Sequence, residues 1–186
     1  MKYLINKLGN LLFASIILFL FAISASGFEY ELFPESILSQ IEKKGATQVV
    51  QDLYDDGKAW SIVLQQIGTG KPEWINVANK LRPGTDAGSS SMLDVAMFIA
   101  LENSPALVLE TCNFDLEFVC SANFLIDYPL NEEALKMIER RKISLSKITD
   151  SSLYVKRDSC ITGLVKAAEY VEMELKKRNK LGAGLD

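Results

Sequence analysis

The sequence predicts an all-α protein with a single folded domain. Apolar residues recur at spacings of three and four along most of the 186-residue chain, which places them on one face of a helix. Glycine or proline interrupts the pattern about every 10 to 12 residues. Alternating apolar and polar residues, typical of strands, occur in one short stretch. We therefore expect seven or eight short helices in consecutive antiparallel hairpins, with HEAT-like stacking as one arrangement.

The first 26 residues have the pattern of an export signal. Lys2 and Lys7 form a positive N-terminal region, and a 13-residue apolar run follows at 11–23. That run is short for a membrane-spanning helix. The small residues of the sequence SASG then allow cleavage before Gly27. These features predict a signal peptide over 1–26 and a periplasmic or secreted location, with an uncleaved N-terminal anchor as the alternative.

Cleavage would leave a helical domain over 27–186, long enough to bury its own core. The loss of two lysines lowers the basic residues from 20 to 18 against 24 acidic residues, a net charge of −6. Nucleic acid is excluded as a partner because phosphate binding needs clustered Lys and Arg. An anionic membrane surface is equally disfavoured. We expect another protein of the cell envelope as the partner, and membrane contact only through an uncleaved signal.

Four short amphipathic helices are predicted between Pro34 and Gly84. Pro34 and Pro72 suit the first helical position, and glycine or proline follows each segment. The apolar stripes are Ile37, Leu38 and Ile41; Val49, Val50 and Leu53; Trp60, Val63, Leu64 and Ile67; and Trp74, Val77, Ala78 and Leu81.

The segment LRPGTDAGSSSML connects the fourth helix to the fifth. A Pro-Gly turn opens it, Thr85 or Asp86 can accept a backbone N–H bond as the helix cap, and Gly88 lies in the first turn. The free amides of a helix N-terminus can also hold an anion. Neither a phosphate-binding loop motif nor the G-x-S-x-G motif of a serine nucleophile is present. We expect a helix cap here, with an anion site as the alternative.

The fifth helix is predicted to be central to the core because it is apolar on several sides. Leu93, Phe98 and Leu101 widen its main apolar stripe. That stripe consists of Met92, Val95, Ala96, Ile99 and Ala100. Pro105 then begins a short helix.

Residues 111–130 break the helical pattern. Phe114, Leu116 and Phe118 alternate with acidic residues, which predicts a short strand or an extended segment within an irregular loop over 111–130. Beyond it, Asn131 and Asp150 are predicted to cap the last two helices. A flexible tail is expected over 182–186.

Three cysteines in an exported protein predict one disulfide. The two pairings considered are Cys120–Cys160 and Cys112–Cys120. The chain-entropy contribution is about 4 kcal/mol for the longer loop and about 2.6 kcal/mol for the shorter one, which does not choose between them. The position of Cys160 on the apolar stripe of the last helix favours Cys120–Cys160. A chain without histidine is a poor candidate for a zinc site.

No set of residues predicts catalysis, a cofactor or a metal site. The sequence SLSK at 144–147 matches S-x-x-K, but the partner motifs S-D-N and K-T-G are missing. The acidic pairs Asp55–Asp56 and Glu132–Glu133 are sequence neighbours, and such neighbours cannot face one another across a sugar. A serine nucleophile would lack a histidine base.

The segment WINVANKLRPGTDAGSSSMLDVAMFIALENSPALVLE resembles a family of small exported bacterial helical proteins of unknown function. The shared pattern is Trp, then Val-Ala, then Leu-x-Pro-Gly-Thr-Asp-Ala-Gly. The later segments VCSANFLID and SCITGL are similar to the cysteine-bearing loop and the final helix of that family. The resemblance implies a helical exported domain and supports the Cys120–Cys160 pairing. It implies no activity and no catalytic residue.

Three functional hypotheses follow. The first is a non-enzymatic protein-binding module, such as an inhibitor or an immunity-type partner, because the domain is acidic and lacks a catalytic set. The second is a cell-envelope hydrolase, which requires a concave pocket lined by carboxylates of raised pKa. The third is a structural scaffold subunit of an envelope complex, which differs from the first in having permanent partners.

Overall fold

The computed structural model describes residues 32–112, 116–121 and 131–182. All regular structure in these ranges is helical, which confirms the predicted all-α domain; the HEAT-like stacking stays a prediction. The described α-helices are α1 (Pro34–Lys44), α2 (Ala46–Asp55), α3 (Gly57–Gly68), α4 (Pro72–Leu81), α5 (Ala87–Ala100), α6 (Pro105–Thr111), α7 (Leu116–Ser121), α8 (Glu132–Ser146) and α9 (Tyr154–Gly182). The predicted signal peptide and residues 183–186 of the predicted tail lie outside the described residues; Gly182 ends α9.

The helices begin and end where the sequence chemistry places them. Proline occupies the first turn of α1, α4 and α6, where a missing N–H costs no helical hydrogen bond. Asp56 caps α3, because its carboxylate accepts a 3.1 Å hydrogen bond from the Ala59 amide. Asn131 caps α8 in the same way through Ala134. Asp150 caps a 3₁₀ turn, Ser151–Leu153, that runs directly into α9.

A second 3₁₀ turn, Arg82–Gly84, passes against the start of α2. A Cβ atom built on Gly84 would lie 2.3 Å from the carbonyl carbon of Ala46 and 2.4 Å from the Thr47 nitrogen. Both of these are backbone atoms, which cannot rotate away. The Pro-Gly turn of the sequence is therefore required for close packing of two chain segments, in addition to reversing the chain.

Helix α5 packs one of its apolar faces into the core and leaves another accessible. Leu93, Met97 and Phe98 are fully buried. Met92 is 40% exposed, and Val95 and Ile99 are only partly buried. The helix contributes to the core, and part of its widened apolar stripe faces a groove instead.

Two arginines join helices through the carboxylates and carbonyls of α5. Arg82 makes a 2.7 Å ion pair with the buried carboxylate of Asp94 and also donates to the Ser90 carbonyl. Arg141 of α8 is buried and donates to the Phe98 carbonyl at 2.7 Å, with its guanidinium 4.2 Å from the centre of the Phe98 ring. These hydrogen bonds offset the cost of burying the charges.

Part of the segment predicted to be an irregular loop is the short helix α7. The strand or extended conformation expected around Leu116 and Phe118 is therefore wrong. A lone strand in a helical domain would leave its backbone N–H and C=O groups without a ladder, whereas a helix satisfies them internally. Thr111 also belongs to a helix, as the last residue of α6. Residues 113–115 and 122–130 of the predicted loop lie outside the described residues.

A disulfide between Cys120 and Cys160 joins α7 to α9. Both cysteines are buried. A Cβ atom on Gly163, one turn along α9, would lie 3.0 Å from the Cys120 carbonyl oxygen, so glycine allows the two helices to approach closely beside the disulfide. Cys112 is buried outside this pair. The disulfide closes a loop with a sequence separation of 40.

Candidate functional site

The residues predicted as a helix cap or anion site lie at the start of α5. The Asp86 carboxylate accepts a hydrogen bond from the Ser89 amide at 2.8 Å, and the Ser89 hydroxyl accepts one from the Asp86 amide at 3.0 Å. Asp86 is thus the cap, whereas the Thr85 hydroxyl donates to the Arg82 carbonyl. Gly88 lies in the first turn of α5 beside Tyr54.

The hydrogen bonds from Ser89, first from its hydroxyl and then from its amide, lower the pKa of the Asp86 carboxyl group. The ionised carboxylate therefore already occupies the positive end of α5. An external anion would have to displace it.

An apolar groove, here called the α3–α5 groove, opens between these two helices. Its volume is about 350 Å³. Its lining contains no charged side chain and consists of Ser61, Leu64, Gln65, Gly68, Met92, Val95, Ala96 and Ile99. An accessible apolar concavity of this kind is typical of a surface that binds an apolar group of a ligand or partner.

The two helices that form the groove run parallel. Gly88 at the start of α5 lies beside Tyr54, which precedes α3 by three residues. Gly68 at the end of α3 lies beside Ile99, since a Cβ atom there would be 3.1 Å from the Ile99 Cγ2 methyl. Glycine at position 68 therefore allows the two helices to approach closely at this end of the groove.

A larger and more polar cleft, here called the end cleft, follows the groove at its C-terminal end. Its volume is about 740 Å³. After the last groove residue of α5, the chain continues to Glu102 and Asn103. After the last groove residue of α3, it continues to Pro72. All three residues line the end cleft. The rest of the lining is Ser104, Pro105, Ala106, Leu107, Ser144, Lys147, Ile148, Thr149 and Asp150.

The carboxylates of the end cleft are engaged in local interactions. Glu102 forms ion pairs with Arg140 at 3.0 Å and with Arg141 at 3.1 Å. Hydrogen bonds from the Ser152 hydroxyl and amide lower the pKa of Asp150. The hydrolase hypothesis needs pocket carboxylates with a raised pKa, whereas the pKa of Asp150 is lowered.

The serine of the S-x-x-K match also lines the end cleft. The Ser144 hydroxyl donates a 2.7 Å hydrogen bond to the Glu102 carbonyl oxygen, and Lys147 lies one turn further on. This hydrogen bond joins the end of α8 to the turn after α5. The observed role of Ser144 is therefore structural.

Residues 32–112, 116–121 and 131–182 contain neither a cluster of metal-binding side chains nor a helix that could span a membrane. Within these ranges, no group of three or more Cys, Asp or Glu side chains is placed to hold a metal ion. None of the helices there combines the length and the apolar composition that a bilayer-spanning segment needs.

Comparisons of the chain with protein-family models, curated proteins and solved structures find no match. The family resemblance carried by the Leu-x-Pro-Gly-Thr-Asp-Ala-Gly segment therefore stays a prediction. The segment itself has a clear structural role, because it contains both the close turn at Gly84 and the cap at Asp86.

The α3–α5 groove was not identified from the sequence. Its apolar residues were assigned to core stripes, and its polar residues Ser61 and Gln65 had no distinguishing pattern. The available signal was the width of the apolar surface on α5. A helix that is apolar on two sides can pack only one of them against the core of this domain. The other side is then left for a second apolar contact.

Proposed function

We propose that this chain is an exported, non-enzymatic protein-binding module, such as an inhibitor or immunity-type partner of another cell-envelope protein. The α3–α5 groove is the observation that carries the proposal. It exposes Met92 and partly exposes Leu64, Val95 and Ile99 along one concave strip. A buried leucine-sized side chain of a partner would contribute about 1.5 to 3 kcal/mol there.

The lack of charge in the groove favours a protein partner. Interface centres are depleted in charged residues and enriched in methionine and aromatic residues. The groove has Met92, which is 40% exposed, at its N-terminal end, and Tyr54, which is 45% exposed, lies beyond that end. The whole chain carries a net charge of −4. The groove lining has no charged side chain, so a partner that covers it removes water from no charged group.

The disulfide and the leader-like N-terminal sequence support an extracytoplasmic location. Stable disulfides form in oxidising compartments, such as the bacterial periplasm, and are rare in the cytosol. The partner is therefore expected in the same compartment.

The proposal is tested by affinity capture from the envelope extract of the native host, using the full chain with its own leader as bait. We expect a specific partner in stoichiometric amount with the wild-type bait. Ile99→Asp places a charge in the groove and should weaken capture at least about tenfold. Val155→Asp is the matched control, because Val155 is 83% exposed on α9, away from the groove lining.

Equal capture by Ile99→Asp and wild-type baits, with both baits folded, would contradict a role for the groove. The bait itself gives a second result, since mass spectrometry of its N-terminus should show a chain that begins at Gly27. A partner that co-purifies at fixed stoichiometry under all growth conditions would favour the scaffold hypothesis over a regulated inhibitor.

A further inference from the structure

We propose that one exposed face of the last helix docks onto a membrane surface that contains anionic lipids. This face, here called the α9 face, lies on the C-terminal half of α9 and consists of Lys166, Tyr170, Met173, Lys177 and Lys180. The proposal goes beyond the protein-binding function and does not depend on the α3–α5 groove.

The α9 face is a continuous strip of exposed side chains. Its five residues follow one another at spacings of four, three, four and three, which places them on one side of a helix. All five are exposed, whereas Leu164, Ala167 and Val171 turn toward the core and are buried. The strip extends about 21 Å along the helix axis at 1.5 Å per residue.

The end of the strip is accessible to an extended flat surface. Val171 is the last buried residue in the described part of α9, and none of residues 172–180 is buried. Leu175, the one aliphatic residue among them that packs against the core, is only partly buried. The last turns of α9 therefore lie at the surface of the domain.

The charge of this part of the chain differs in sign from that of the whole. Residues 166–180 contain five basic and three acidic residues, a net charge of +2, whereas the whole chain carries −4. Glu172 and Glu174 form ion pairs with Lys176 and Lys177. No acidic residue follows Glu174 before position 180, whereas four basic residues do. The positive charge is thus concentrated toward the end of α9.

The acidic residues elsewhere in the domain do not cancel this local charge. Salt screens exposed charges from one another beyond about 8 Å at physiological ionic strength. The net charge of the chain disfavours an anionic membrane only when the charge is averaged over the whole domain, which is much larger than that distance. A membrane that approaches the α9 face meets mainly the lysines of that face.

The composition of the α9 face favours a lipid surface over an acidic protein. Tyr170 is 40% exposed and Met173 is 45% exposed, and lysines flank both along the strip. The interface of a bilayer accommodates both kinds of side chain, because anionic headgroups attract lysine while tyrosine and apolar groups enter the boundary with the acyl chains. Protein interfaces, in contrast, are depleted in lysine.

The dipole of α9 does not account for the composition of this face. The favourable interaction of a basic side chain with a helix C-terminus falls off within the last turn. Lys180 is the basic residue in the last turn of α9, which ends at Gly182. Lys166, Tyr170 and Met173 lie more than two turns before that end.

The test measures binding of the purified full chain to lipid vesicles by co-sedimentation. One set of vesicles is phosphatidylcholine alone, and the other contains equal parts of phosphatidylcholine and phosphatidylglycerol. At low salt we expect binding to the anionic vesicles to be at least about tenfold stronger, with the difference lost at high salt. Both sets have the same acyl chains, so insertion of the apolar run at 11–23 would contribute equally to both.

A double variant tests the charge of the face. Lys177→Gln with Lys180→Gln removes two positive charges and should weaken binding to the anionic vesicles at least about tenfold at low salt. Lys43→Gln with Lys44→Gln removes the same charge from the last turn of α1 and is the matched control, with no change expected. All four side chains are exposed, so the variants should keep the circular dichroism spectrum of the wild type.

Tyr170→Trp tests whether the face enters the bilayer interface. Tryptophan emission shifts to shorter wavelength when the indole ring leaves water. We expect such a shift with anionic vesicles and none with soluble polyglutamate. Tyr54→Trp on α2 is the control, because Tyr54 is exposed to a similar extent, and its emission should not shift with either.

Equal binding to neutral and anionic vesicles, or unchanged binding of the Lys177→Gln, Lys180→Gln variant, would overturn the proposal. An equal emission shift of Tyr170→Trp with polyglutamate and with vesicles would also overturn it, since an acidic polypeptide would then be the occupant. The groove variant Ile99→Asp should bind vesicles as the wild type does. Failure of affinity capture and failure of vesicle binding are therefore separate results.

Discussion

Replacing Gly84 by alanine should lower the free energy of unfolding by about 3 kcal/mol, at the upper end of the range for overpacked sites. The added methyl group would lie 2.3 to 2.5 Å from backbone atoms of Ala46 and Thr47. The relief of such an overlap requires movement of the Arg82–Gly84 turn away from α2. Urea denaturation of the oxidised protein, followed by circular dichroism, measures the effect.

Gly57→Ala is the matched control for this prediction. Gly57 begins α3, and a Cβ atom there meets no atom within 4 Å. Alanine is favoured over glycine in helices, so we expect stability to be unchanged or raised by up to about 1 kcal/mol. If Gly84→Ala unfolds at the same urea concentration as Gly57→Ala, the close approach of the turn to α2 is wrong.

Removal of the Cys120–Cys160 disulfide should destabilise the domain by about 4 kcal/mol, because a loop of this length loses much of its unfolded-state entropy when it is closed. Both cysteines should be replaced together by alanine, so that no unpaired thiol is introduced. The expected loss is a large fraction of the stability of an ordinary domain. Urea denaturation gives the difference, and treatment of the wild-type protein with a reductant should reproduce it.

Cys112→Ala provides the comparison for the disulfide. Cys112 is buried but lies outside the disulfide, so its replacement keeps the covalent link and removes one sulfur from the core. We expect a cost of about 1 kcal/mol or less. A Cys112→Ala variant that loses as much stability as the double variant, or a double variant that loses none, would contradict the pairing seen in the structure.

Local chemistry predicted the helices well, because their signals lie within a few residues of each end. Pro34, Pro72 and Pro105 each begin a helix, and Asn131 caps one through its side chain. These effects depend on neighbouring backbone groups, so a sequence window contains them. The apolar stripes of α1 to α4 were also visible at helical spacing.

The failures arose where tertiary packing decides the outcome. The alternating residues around Leu116 resemble a strand, but α7 packs against α9 through the disulfide and Gly163, which a sequence window cannot show. The groove was missed for a related reason. The spacing of Met92, Val95 and Ile99 defines an apolar face but does not reveal whether another helix covers it.

Site-specific photo-cross-linking in cells of the native host tests our proposal that a partner protein covers the α3–α5 groove. A photoreactive amino acid should be placed at Gln65, an exposed residue of the groove lining, and in a separate variant at Val155 on α9. We expect a single adduct of defined mass from position 65 and none from position 155. No adduct from position 65, or the same adduct from both positions, would contradict it.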